Sequence, residues 1–105
     1  MLTEKDYCDW RTVKDLESLG MNVYTKVKGI EVLKSVHLYE AQKFLREEKE
    51  LHIEITYSPS CWTGKIYDLK EWDYIKGFTF FESFEETLHI LIKEAIKILK
   101  EENKL

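Results

Sequence analysis

Leu88, Leu91, Ile92, Ala95, Ile96 and Leu99 fall at i, i+3, i+4, i+7, i+8 and i+11, one apolar stripe of an α-helix. Ser83 followed by Glu86 forms a capping box at its start. Glu85 and Glu86 in the first turn and Lys97, Lys100 and Lys104 toward the end complement the helix dipole. A long C-terminal helix with one apolar side needs a second layer to cover that side, so the rest of the chain must supply it.

The preceding segment changes period. Leu51, Ile53, Ile55 and Tyr57 alternate with His52, Glu54 and Thr56, which predicts a half-buried strand. Ser58, Pro59 and Ser60 turn the chain. A second strand follows with Trp62, Gly64 and Ile66 on one side and Thr63, Lys65 and Tyr67 on the other, Gly64 marking a bulge or a close approach. Phe78 to Phe81 after Gly77 predicts a third short strand. Before the hairpin, Leu38, Ala41, Phe44 and Leu45 mark an amphipathic helix over 38–49.

The first helix is expected over 6–19, from Tyr7, Trp10, Val13 and Leu16, with Thr3 as cap and Gly20 as stop. One or two short strands are expected between Met21 and Val36, where Val23, Thr25 and Val27 alternate and Ile30 and Val32 follow Gly29. The expected fold class is α+β: an N-terminal helix added to an α-β-β-β-α core, both core helices on one face of an antiparallel sheet. No composition shift divides the 105 residues, so a single domain over 1–105 is expected.

Hydrophobic residues make up 44% and aromatics 13%, enough apolar surface to drive folding. A net charge of −4 argues against a phosphate backbone as main partner, because such binders concentrate Lys and Arg. No apolar run approaches the ~20 residues of a membrane span, and the N-terminus lacks a signal-peptide core, so a soluble cytoplasmic protein is expected.

Chemistry-bearing residues are sparse in pattern. His37, His52 and His89, with Glu54, Cys61 and Asp68, are the only candidates for a metal site, and their spacing matches no ligand motif. Cys61 with His52, or Cys8 with His37, are the only conceivable thiol–imidazole pairs. The four glycines are scattered singly, so no phosphate-cradling loop is present. No catalytic residue, metal or cofactor is expected. The surplus lies in aromatics: Trp62, Tyr67, Trp72, Tyr74, Phe78, Phe80 and Phe81 crowd within twenty positions. A sheet covered on one face cannot bury them all. Ile90 falls about 200° from Leu88, outside the stripe, and Ile98 lies at its edge, so the last helix offers a dimer surface. Trp62, Tyr67, Trp72, Tyr74 and Ile90 are therefore the expected partner-binding residues.

The runs Leu38-Tyr39-Glu40-Ala41-Gln42-Lys43-Phe44-Leu45-Arg46-Glu47 and Leu51-His52-Ile53-Glu54-Ile55, then Trp62, Tyr67-Asp68 and Phe81-Glu82-Ser83-Phe84-Glu85-Glu86-Thr87, resemble a group of small uncharacterised proteins of phages and prophages in gut Bacteroidetes. More loosely, the element order is similar to HicB-type antitoxins and double-stranded RNA-binding domains. The latter carry basic residues where this chain has Glu85 and Glu86. The first resemblance implies a mobile-element origin and a fold, not a mechanism. A credible core, surplus aromatics and no chemical constellation lead to the expectation of a non-enzymatic protein-interaction module, acting on an unknown protein partner or as a homodimer. The alternative, from the element order and from Lys65, Lys70 and Lys76 beside aromatics, is an antitoxin-like or regulatory module that contacts RNA or an RNA-cutting partner.

Overall fold

The computed structural model of the chain describes residues 6–71 and 73–102, with backbone alone at 58 and 78–80. Its elements run α1 (Trp10–Ser18), β1 (Tyr24–Val27), β2 (Ile30–Leu33), α2 (Leu38–Lys49), β3 (Leu51–Ser58), β4 (Cys61–Asp68), β5 (Asp73–Phe81) and α3 (Phe84–Glu102). The α+β class and the helix–strand–strand–strand–helix core are as the sequence predicts.

β3, β4 and β5 form an antiparallel meander in that order. The alternation along β3 puts Leu51 and Ile53 inward, where they meet Ile66 of β4 beneath α2 and α3. α3 crosses all three strands, and its stripe from Leu88 to Leu99 is buried. Gly64 explains how it comes so near: a methyl group there would collide with both Leu91 methyls and press on Thr87. Glu86 N–H donates to Ser83 Oγ at 3.1 Å, which caps the helix as expected. Lys76 of β5 pairs with Glu94 of α3 at 3.0 Å.

α2 begins at a His37 cap. Tyr39 N–H donates to His37 Nδ1 (3.0 Å) and His37 N–H to Glu40 Oε1 (3.2 Å), a reciprocal box made by a histidine. It ends with Glu50 in the left-handed region at φ 57°.

Two expectations change, the starts of α1 and β5, while the short strands expected between Met21 and Val36 are present as two. α1 starts at Trp10, not residue 6, because Asp9 supplies the cap by accepting from Thr12 N–H at 2.8 Å. Tyr7 lies outside the helix in a β-bridge with His37, and Trp10 is 56% exposed, so Thr12, Val13 and Leu16 form the buried side. The Thr3 cap falls outside the described residues. β5 begins at Asp73, five positions ahead of the Phe run, because Tyr74, Lys76 and Gly77 pair with Tyr67, Ile66 and Lys65 despite their polarity. The segment from Met21 to Val36 is a hairpin in a sheet of its own, closed by Lys28 (φ 52°) and Gly29 (φ 81°) in a type I′ geometry.

Candidate functional site

Both long helices lie on the inner side of the β3–β4–β5 sheet, which leaves its other side open. Register decides what stands there. His52 pairs with Tyr67 and Tyr67 with Tyr74, so three rings line up across three strands. The His52 and Tyr67 rings stack at 6.4 Å, and Tyr67 meets Tyr74 edge-on at 6.0 Å. Tyr74 is 58% exposed, and its phenol folds back over Gly77, where a Cβ would strike the hydroxyl. His52 Nδ1 is enclosed without a hydrogen-bond partner among the described residues. Glu54 and Lys65 face each other beside this row, and Thr63 Oγ1 donates to the Thr56 carbonyl. The open face is thus aromatic at the end remote from the β3–β4 turn and carries both signs of charge beside it.

A second aromatic group sits at the hairpin tip on the inner side. Tyr57 pairs with Trp62 (centroids 4.9 Å apart), and Trp62 meets Phe84 at 5.6 Å and 80°. Trp62, expected among the partner-binding residues, lies across the sheet from Tyr67 as the alternation along β4 predicts, and continues the core outward. Ile90 is half-buried, and Ile98 packs against the core. Trp72 falls outside the described residues.

The titratable residues are dispersed by the same register. Cys61 pairs with Ser58 and His52 with Tyr67, six positions along the strand. At ~3.3 Å per residue they stand roughly 20 Å apart, so the conceivable Cys61–His52 pair and the His52, Glu54, Cys61 ligand set are not assembled. Among the described residues no three His, Cys, Asp or Glu side chains are placed to hold a metal ion. Cys8 is buried beneath the Tyr7–His37 bridge; burial, then Asp9 and Glu40, push its thiol up to about 12. His37 spends Nδ1 on the α2 cap.

α1 and α3 share a charged seam. Asp9 Oδ2 lies 2.9 Å from Lys93 Nζ and 3.5 Å from His89 Nε2, and Lys100 pairs with Asp15. Burial opposes ionisation of Asp9, but the Thr12 hydrogen bond and Lys93 outweigh it and hold the carboxyl below the usual range. Burial, reinforced by Lys93 and partly offset by Asp9, lowers the His89 pKa.

The sequence pattern missed His52, Tyr57 and Phe84 as members of aromatic groups. A two-residue turn at Pro59 and Ser60 fixes Ser58 opposite Cys61 and therefore His52 opposite Tyr67, so the signal was present once the turn length was used. Among the described residues no helix is long and apolar enough to cross a membrane. Comparison with known proteins returns no matching family model, curated protein or solved structure.

Proposed function

We propose that this chain is a non-catalytic protein-interaction module whose binding surface is the open face of the β3–β4–β5 sheet. The ring row His52–Tyr67–Tyr74 carries the reading, since it displays aromatic surface where a helix-covered sheet would otherwise be polar. Tyrosines make good anchors because they bring large area with few rotatable bonds to fix. Glu54 and Lys65 beside the row give it charges of both signs, which suits a protein surface better than a polyanion. An origin among phage and prophage proteins rests on the resemblance of the residue runs quoted above.

The test is affinity capture with the wild-type chain, Tyr74→Ala and the Tyr67→Ala/Tyr74→Ala pair, each verified as folded by circular dichroism. A discrete protein recovered by the wild type and reduced at least ~10-fold with the double variant supports the reading. Recovery unaffected by the double variant removes it. RNA retained at ~50 mM salt and lost at ~200 mM would instead favour the antitoxin-like alternative.

A further inference from the structure

We propose that His37 is the pin of an acid-opened latch: on taking up a proton it leaves the N-cap of α2 and frees the chain ahead of α1 from its bridge to residues 36 and 37.

His37 does three things at this corner. Its Nδ1 accepts from Tyr39 N–H at 3.0 Å, its own N–H donates to Glu40 Oε1 at 3.2 Å, and its ring meets the Tyr7 ring edge-on with centroids 5.6 Å apart. Its backbone also pairs with Tyr7 in an isolated antiparallel bridge, beside which Cys8 N–H donates to the Val36 carbonyl at 2.8 Å. An isolated bridge has no neighbouring ladder to support it. What holds this one is the Tyr7–His37 ring contact, the Cys8 bond and the burial of Cys8 and Val36 in the core.

The cap and a proton compete for one lone pair. Nδ1 accepts only while the ring is neutral with its hydrogen on Nε2, because the imidazolium donates from both nitrogens. Protonation therefore sets N–H against the Tyr39 N–H, and it places a positive charge at the positive end of the α2 dipole. The ring must turn out of the cap, and turning takes it off Tyr7. Glu40 on α2 and Asp6, next to Tyr7 in the bridged segment, favour the charged ring. Lys34, on the link before α2 with Nζ 3.2 Å from Glu40 Oε2, opposes it. The Cys8 thiol stays protonated, and the Asp9 carboxylate is engaged by Thr12 and Lys93. These groups change how readily the ring charges, and none of them returns a lone pair to Nδ1.

Opening stays local because both helices have other moorings. Leu38, Ala41 and Leu45 bury the inner side of α2, and Gln42 Nε2 donates to the Ile53 carbonyl on the outer edge of β3 at 3.0 Å. α1 keeps its own Asp9 cap and its pairs with Lys93 and Lys100.

Amide exchange of the full chain, measured by NMR at about pH 7 and about pH 5 and divided by the intrinsic rate at each pH, brackets ordinary imidazole titration near ~6.5. Loss of a cap changes a local equilibrium on the order of 5-fold, so protection of the Tyr39 and Cys8 N–H groups is expected to fall by about that factor in acid. The Leu69 N–H, bonded to the Glu50 carbonyl at 2.8 Å at the other end of α2, is expected to hold. His37→Asn keeps a capping acceptor that takes no proton and is expected to remove the fall at both amides, as is His37→Ser. His89→Gln, which removes the titrating ring of the α1–α3 seam, is expected to leave the fall in place. Protection unchanged in the wild type overturns the proposal, as does a fall that persists in both His37 variants or one abolished by His89→Gln. A fall at Tyr39 without one at Cys8 leaves a cap but no latch, and an equal fall at Leu69 is general unfolding; either overturns it as well. Because Tyr67 and Tyr74 are untouched, failure here is separate from failure of the open-face reading.

Discussion

At position 64 the absence of a side chain sets the distance between sheet and helix. Thr87 and Leu91 are fully buried, so neither can yield freely to an added methyl. Gly64→Ala is therefore expected to destabilise by about 1–3 kcal/mol, read as a fall in thermal midpoint of several degrees. The two thiols make a contrast at the same scale. Cys8 is buried and held protonated, whereas Cys61 is half-buried at the hairpin tip. Native protein should show one readily alkylated cysteine and denatured protein two, with mass spectrometry placing the native label on Cys61. The glycine was legible beforehand because a lone Gly in a strand has few explanations. The orientation of Trp10 was not: its spacing to Val13 fits a helical face, but the Asp9 cap begins the helix just ahead of it and leaves that ring in solvent.

Elements differ in how firmly local chemistry specifies them. α2 stops on a non-glycine residue in the left-handed region, so Glu50→Gly is expected to raise stability by about 0.5–1 kcal/mol, measurable by denaturant midpoint. The α1–α3 seam is sensitive to acid, and the sign follows from both shifted groups. His89 has a lowered pKa in the fold, so below about 6.5 the unfolded chain takes the proton first and stability declines. Asp9 is held below the carboxylate range, so its contribution is complete above about pH 4 and is lost as pH falls toward the folded value. Thermal midpoints should fall from pH 7 to pH 5 less steeply in His89→Gln. Asp9→Asn, which keeps a capping side chain, should flatten the profile below pH 4. In the sequence α2, the β3–β4 hairpin and α3 were legible because pattern and punctuation agree there. β5 was read short because its first half is polar, and only pairing with β4 makes it a strand.

For the whole molecule, extents of 47 × 40 × 19 Å describe a slab, as expected of one sheet layered on helices with a hairpin beside it. That layering was legible from the order of periods, and so was the arithmetic that some aromatics must lie outside the core. Which ones do so depends on register: Tyr67 and Tyr74 share the open face with His52, while Trp62 joins Tyr57 and Phe84 across the sheet.

The bond from Gln42 to the Ile53 carbonyl has a consequence for how α2 and the sheet come apart. A side-chain amide of the helix occupies an acceptor on the outer edge of β3, so the helix is stitched to the strand that follows it as well as packed on it. Helix and strand are therefore expected to open together in hydrogen exchange, and Gln42→Leu to let β3 exchange ahead of α2.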